Sequence, residues 1–181
     1  MEDAARARLR LEHQHEPRLR RQLEADARRA ETRAAREFAR LLAEIRAEPD
    51  LAERLDLLFS IPGLGEKTAL RLVVLMPELG RLSREQAASL AGLAPFDHDS
   101  GQHQGERHIA GGRARVRTAL YTAALPASHR WNPALIALRT RLINRGKTHK
   151  QALTACARKL LTYANAVLAR GTPWNSQAAA A

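Results

Sequence analysis

The sequence is poor in aromatic residues, in cysteine and in long apolar runs. Aromatic side chains make up 4% of the 181 residues, and Cys156 is the single cysteine. One cysteine excludes an internal disulfide framework and a zinc site built from cysteines. No apolar run reaches the roughly 18 residues of a membrane-spanning helix, and the chain starts without the basic and apolar segments of a signal peptide. We therefore expect a cytoplasmic protein with no membrane partner.

Valine and isoleucine are also few, and alternating apolar and polar runs are absent. Both absences exclude a β-sandwich, a barrel or a sizeable parallel sheet. The hydrophobic 45% is mostly alanine and leucine, which favour helices. The sequence therefore predicts an all-α protein: a long N-terminal helical arm, then a compact helical domain with a helix-hairpin-helix and a long Gly-rich loop.

Residues 1–47 contain no glycine and are rich in Ala, Arg, Glu and Leu, so they predict the arm, with a kink or restart at Pro17. A narrow apolar stripe follows at spacings of three and four: Leu19, Leu23, Ala27, Ala30, Ala34, Phe38, Leu41 and Ile45. It is typical of a coiled coil, through which the chain would form homo-oligomers. The alternative is an ordinary amphipathic helix that lies on the following domain.

The compact domain is predicted over residues 48–174. Asp50 is expected to cap a helix over 51–59, and Ser83 with Gln86 predicts a capping box for a helix that ends near Ala91. Helical periodicity returns at 113–127, at 133–144 after an Asn132 cap, and at 149–170 after a Thr148 cap. Five glycines and a proline interrupt 92–112, which predicts a loop of about 20 residues. The tail is expected to fray from Gly171, with 175–181 disordered.

Charge is concentrated in one part of the chain. The whole sequence has 30 Lys and Arg against 19 Asp and Glu, for a net charge of +11. Residues 102–159 hold twelve basic residues and one acid, so this segment alone carries +11. Such a surface predicts a polyanionic partner, and nucleic acid is favoured. The alternatives are a solvated basic surface, a contact with anionic lipid, or a protein-interaction scaffold on which the charge is incidental.

Residues 60–70 are typical of the turn in a helix-hairpin-helix, predicted at 51–76. Pro62 would stop the first helix, Gly63 and Gly65 would allow a tight turn, and the free amides of the second helix could bind a phosphate beside Lys67. A plain helix–helix connection is the alternative. A P-loop is excluded, because no glycine directly precedes Lys67. The predicted nucleic-acid-binding residues are Gly63, Gly65, Lys67, Arg107, Arg113, Arg115, Arg117, Arg145, Lys147 and Lys150.

Residues 97–101 place a serine hydroxyl among acids, a histidine and a glycine in the predicted loop. Ser100 could attack a phosphodiester, or it could be an ordinary turn residue. His98, His103 and His108 recur every five residues, which is not a metal-binding spacing, and no carboxylate cluster suggests a two-metal nuclease. We therefore predict no metal site in this chain.

Several motifs together resemble a known family. They are Ser60–Gly65, Leu90–Pro95, Ser100-Gly101, Ile109–Arg113, Asn132-Pro133 and Arg145–Lys147. In order and spacing they are similar to the C-terminal transposase domain of the IS110, IS116 and IS902 family of insertion-sequence transposases, over about 58–174. The preceding residues resemble the coiled-coil arm of that family.

The resemblance implies a DNA recombinase guided by a bridge RNA, in which a serine matched here by Ser100 becomes linked to DNA. In that family a separate N-terminal domain, similar to a Holliday-junction resolvase, binds a divalent metal through four acidic residues. We expect this chain to lack that domain and to need it for catalysis, as a truncated copy, a fragment or a separately encoded half. Many family members carry Ser or another small residue directly before this serine, whereas this chain has Asp99 at that position.

The residues that would assist Ser100 are open at this point. His98, His103 or His108 could accept its proton, and Arg107 or Arg113 could stabilise charge on the phosphate. The alternative functions are a non-catalytic nucleic-acid-binding module and an inactive transposase remnant.

Overall fold

The computed structural model describes Leu9 and residues 16–96, 108–109 and 111–175. This part of the chain is all-α, as predicted. Its helices are α1 (Pro17–Ala47), α2 (Pro49–Phe59), α3 (Glu66–Leu75), α4 (Arg84–Leu90), α5 (Ala114–Pro126), a π-helix (Ala127–Trp131), α6 (Pro133–Asn144) and α7 (His149–Arg170). Two strands of two residues each, β1 (Pro95–Phe96) and β2 (His108–Ile109), pair antiparallel. None of the described helices is long and apolar enough to cross a membrane.

The chain divides into two compact units, Met1–Pro49 and Asp50–Ala181. In the first unit, α1 begins at Pro17, where the Glu16 carboxylate accepts a hydrogen bond from the Leu19 N–H at 2.7 Å. Proline suits this position because its fixed φ matches the helix and its missing N–H would have no helical partner. The predicted restart at Pro17 is thus a capped helix start.

The start of α2 differs from the prediction. The helix begins at Pro49, so Asp50 lies in its first turn and is not the cap. Proline is again favoured as the first helical residue, and the Asp50 carboxylate is stabilised by the positive end of the helix dipole.

The core of the second unit is built around α7. This helix packs against α4, α5 and α6, while α3 packs against α5. Its buried side chains include Leu153, Leu160, Leu161 and Val167. The other large buried side chains include Leu58, Ile61, Leu72, Met76, Leu79, Leu93, Leu120 and Leu135.

Three of the predicted caps are confirmed. Ser83 with Gln86 and Thr148 with Gln151 each form a reciprocal capping box, and the Asn132 side chain accepts from the Leu135 N–H at the start of α6. Such caps satisfy backbone amides that the helix itself leaves unpaired.

The helix expected over 113–127 is confirmed within one residue at each end, since α5 covers Ala114–Pro126. The sequence did not predict the π-helix that follows, in which the Asn132 N–H donates to the Ala127 carbonyl at 2.9 Å. Pro126 lies in the last turn of α5 and has no N–H, while beyond it the Ala127 N–H donates to the Ala123 carbonyl. The expected fraying from Gly171 is absent as far as Trp174, whose ring packs on Tyr163 at 4.4 Å between centroids. The tail predicted over 175–181 lies outside the described residues, apart from Asn175.

Candidate nucleic-acid interface

The turn over 60–65 joins α2 to α3. Gly63 has φ of +101°, a conformation open to glycine, whereas Gly65 is extended and forms the N-cap of α3. The Gly65 carbonyl accepts from the Thr68 and Ala69 amides. The Gly65 and Glu66 amides donate to no other residue in the described part of the chain. The start of α3 therefore presents backbone donors, with the exposed Lys67 side chain beside them.

The 60–65 turn is fastened to the π-helix. A Cβ added to Gly63 would collide with Ala127, so these two residues are in close contact. The buried Asn132 side chain, 1% exposed, donates from Nδ2 to the Pro62 carbonyl at 3.0 Å. Because the contacts lie at both ends of the π-helix, the turn and the π-helix are packed together.

The two ends of the 92–112 segment are held together at the start of α5. A Cβ on Gly112 would collide with the Gly92 backbone, and the Arg113 N–H donates to the Leu90 carbonyl at 2.7 Å. The Arg117 guanidinium donates to the Gly111 carbonyl at 2.6 Å. Gly92 and Gly112 thus permit a close backbone crossing that arginine side chains reinforce.

Several predicted site residues lie between these ends. Ser100, Arg107, His98 and His103 are outside the described residues, and the structure describes His108 through its backbone in β2. The roles suggested for them stay predictions.

Arg113 and Arg117 hold the protein's own backbone. Arg113 Nη1 donates to the Leu75 carbonyl at 2.7 Å and pairs with the Glu78 carboxylate at 2.6 Å. Arg117 Nη1 also lies 3.4 Å from the Gly92 carbonyl. With these bonds both arginines stabilise the fold, and nucleic-acid binding stays a prediction for them.

Arg115 faces outward beside an open groove of about 470 Å³. The groove runs between the end of α3 and the start of α5, and its lining includes Val74, which is 44% exposed. Apolar surface next to an arginine suits a sugar or base together with a phosphate. The groove adjoins the ends of the segment that carries Ser100.

The remaining predicted cations are exposed. Arg145 and Lys147 lie in the connection between α6 and α7, and Lys150 lies in the first turn of α7. Residues 127–150, which we call the basic segment, hold six Lys and Arg and no Asp or Glu. Its positive charge is therefore not neutralised within the segment.

The structure adds a group of residues that the sequence reasoning missed. Trp131, at the end of the π-helix, is 55% exposed. The His129 and His149 rings lie 5.7 Å apart, and Arg139 Nη2 is 3.5 Å from His149 Nδ1. The signal in the sequence was a tryptophan directly after Arg130 in an acid-free run. The sequence pattern predicted neither the exposure of this ring nor the π-helix that it ends.

The described residues offer no metal site. Within 16–96, 108–109 and 111–175, no three His, Cys, Asp or Glu side chains form a group that could hold a metal ion. These side chains do not fit the divalent metal that the family resemblance implies, and we derive no step through a metal from them.

Cys156 is poorly suited to act as a nucleophile. It is buried in α7, and this burial raises the pKa of its thiol despite the hydrogen bond with Ser128 and the charge of Arg139. A thiol with a raised pKa is mostly protonated at neutral pH and reacts slowly.

Comparison with known proteins gives matches over most of the second unit. Residues 55–140 match the transposase IS116/IS110/IS902 family. The pilin gene-inverting proteins of Moraxella lacunata and Moraxella bovis are each 36% identical over 136 residues, which cover 74% of this chain and 42% of theirs. An uncharacterized 43.6 kDa protein of insertion element IS110 from Streptomyces coelicolor is 34% identical over 122 residues, 66% of this chain and 30% of that protein. The chain spans less than half the length of these curated relatives.

Proposed function

The chain belongs to the IS116/IS110/IS902 family of transposases, and we propose that it is the DNA-binding, serine-bearing C-terminal part of such a recombinase. DNA is the substrate of this activity. Since the Moraxella relatives are named as pilin gene inverters, inversion and transposition of DNA are both in the range of reactions proposed.

One observation carries the DNA-binding part of the proposal: the basic segment, free of acids, is packed against the 60–65 turn. The Asn132 bond to the Pro62 carbonyl and the contact of Gly63 with Ala127 join them. We interpret α2, the turn and α3 as a helix-hairpin-helix that holds a phosphate on the α3 amides and Lys67. Such contacts fix the position of DNA and carry no sequence information.

Ser100 is the proposed nucleophile. Its Oγ would attack a backbone phosphorus and form a phosphoserine ester while the bond from phosphorus to a sugar oxygen breaks. The hydroxyl proton would pass to a nearby base, for which His98, His103 and His108 are the candidates, and the leaving sugar oxygen would take up a proton. The arrangement at the start of α5 supports this proposal because it brings the two ends of the Ser100 segment together beside the Arg115 groove.

Other parts of the proposal rest on the family. A guide RNA would supply sequence choice, because the basic segment and the turn offer contacts to a backbone and not to base edges. Self-association through α1 would bring two DNA sites together. A divalent metal would be bound outside the described residues, and work on bacterial DNA implies a cytoplasmic location.

DNA binding is tested by the dependence of affinity on salt. We expect affinity for a duplex to fall at least ten-fold from about 50 to 200 mM salt, because binding several phosphates releases counterions. Lys67→Ala should weaken binding on all sequences alike. Arg84→Ala removes the same charge from α4, next to Glu85, and serves as the matched control. A flat salt response, or an equal loss in the control, would contradict the proposal.

The nucleophile is tested by trapping a covalent adduct. With the rest of a family transposase, a divalent metal and guide RNA supplied, we expect a protein–DNA adduct that disappears in Ser100→Ala. DNA affinity should change less than about two-fold in this variant, since the lost hydroxyl acts in the chemical step. An adduct that survives the substitution would place the nucleophile elsewhere.

A further inference from the structure

We propose that Trp131 is a stacking platform for an unpaired base, and that the π-helix positions it next to the phosphate-binding turn. This inference deepens the proposed function and rests on it. It assigns to one residue a preference for single-stranded or distorted nucleic acid over a regular duplex.

The first argument is the exposure of a large aromatic ring. Trp131 is 55% exposed in a chain whose other tryptophan, Trp174, packs on Tyr163. A lone exposed apolar residue needs no explanation by itself. Trp131, however, ends a π-helix, a rare structure that is frequent at functional sites. The next residue, Asn132, is buried and bonded to Pro62, so the backbone beneath the ring is held in place.

The second argument is charge complementarity. Trp131 follows the exposed Arg130 within the acid-free basic segment. Beside the π-helix, the His129 and His149 rings lie 5.7 Å apart, and the Arg139 guanidinium reaches His149. Arg139 Nε is buried and has no hydrogen-bond partner among the described residues. An exposed aromatic ring within a positively charged segment is how proteins hold single strands without sequence preference.

The third argument is the distance to the turn. Asn132 is the residue next to Trp131, with Cα atoms about 3.8 Å apart, and its side chain contacts the Pro62 carbonyl at 3.0 Å. A strand whose phosphate lies on the 60–65 turn therefore has a neighbouring base within reach of Trp131. In a duplex both faces of that base are covered by adjacent base pairs, so stacking on a side chain requires an unpaired or displaced base.

The experiment compares two probes of equal length at one salt concentration: single-stranded oligodeoxythymidine and a regular duplex. With the full chain, we expect Trp131→Ala to weaken single-strand binding about ten-fold, in the range measured for loss of one stacked base, and duplex binding less than two-fold. Trp131→Phe keeps an aromatic plane and should lose less than three-fold on either probe. Arg130→Ala is the charge control and should weaken both probes alike.

Fluorescence gives a second measurement. In a Trp174→Phe background Trp131 is the sole tryptophan, and its emission should be quenched by the single strand and not by the duplex. Equal losses on both probes in Trp131→Ala, no loss, or a change in oligomeric mass would overturn the stacking proposal while salt-dependent duplex binding persists. If the wild-type chain binds neither probe, the proposed function fails with it.

Discussion

Arginine has a different electrostatic setting in the arm and in the basic segment. In α1 three arginines pair with acids one turn away: Arg20 with Glu24, Arg29 with Asp26, and Arg40 with Glu37 and Glu44, at 2.6 to 3.6 Å. Exposed pairs of this kind are worth about 0.3–0.5 kcal/mol each and support the helix. In the basic segment no acid is present to form such pairs. We therefore expect affinity for DNA to depend on the charge without local acids, and not on the total charge.

The largest effect on stability is expected from a glycine in the compact unit. The arm contains no glycine and so offers no equivalent position. Gly63→Ala would place a Cβ against Ala127 at a positive φ. We expect a loss of about 3 kcal/mol in the free energy of unfolding, from strain and overpacking combined. Urea denaturation measures it.

Gly65→Ser is the matched control for Gly63→Ala. A Cβ added to Gly65 would meet no other atom within 4 Å, and its φ of −73° is one that any residue adopts. Gly65 is also the N-cap of α3, where serine is a preferred residue. The stability of Gly65→Ser should stay within about 0.5 kcal/mol of the wild type. Similar losses at both glycines would mean that the contact with the π-helix does not hold the turn.

The difference between the two arginine settings is tested by matched double variants. Lys147→Ala with Lys150→Ala removes two charges from the basic segment, and we expect about ten-fold weaker DNA binding and a salt slope smaller by about two. Arg29→Ala with Arg40→Ala removes two paired charges from the arm and should cost less than two-fold. Fluorescence anisotropy at several salt concentrations measures both. Equal losses would show that total charge alone governs affinity.

A smaller effect is expected to distinguish two arginines at the start of α5. The Arg113 guanidinium bonds to the protein, whereas the Arg115 side chain faces solvent. Arg113→Ala removes the bonds to the Leu75 carbonyl and Glu78, and should cost about 1 kcal/mol of stability once the partial exposure of the pair is considered. Arg115→Ala should leave stability within about 0.5 kcal/mol and weaken DNA binding instead. Thermal unfolding and DNA affinity, measured on both variants, check this difference, and an equal fall in stability would contradict it.

The smallest effect is a pH dependence of stability that comes from the single cysteine, which lies in the compact unit. Burial raises the pKa of Cys156 above its unfolded value. Between those two values the folded protein binds more protons, so stability is lost as pH rises above about 8.5, by less than about 1 kcal/mol up to pH 9.5. Urea denaturation at pH 7.5 and 9.5 should show a smaller decrease in Cys156→Ala. An equal decrease would assign the effect to other groups.

The helices and their caps were predictable because they depend on nearby residues. Ser83 meets Gln86, and Thr148 meets Gln151, three positions along the chain, so the sequence pattern contains both partners of each capping box. The exposed cations Arg145, Lys147 and Lys150 could likewise be named, since a run without acids is visible in the sequence.

The inward arginines and the exposed tryptophan could not be predicted in this way. Arg113 meets Leu75 and Glu78 across more than thirty residues of sequence. The sequence shows a basic residue at position 113 in either case, and long-range packing decides whether its guanidinium faces the protein or a phosphate. Trp131 is exposed at the end of the π-helix, and no local pattern in the sequence indicates either the π-helix or the exposure of the ring.

Local sequence patterns are enough to establish the all-α class, the arm, the helix limits given by caps, and the concentration of positive charge, because each depends on residues a few positions apart. Long-range packing establishes which cations are used internally, how Gly63 and Asn132 join the 60–65 turn to the π-helix, and that Trp174 returns to Tyr163 and Ser60. These contacts join residues far apart in the chain, and they form only when the buried side chains of several helices pack at the same time.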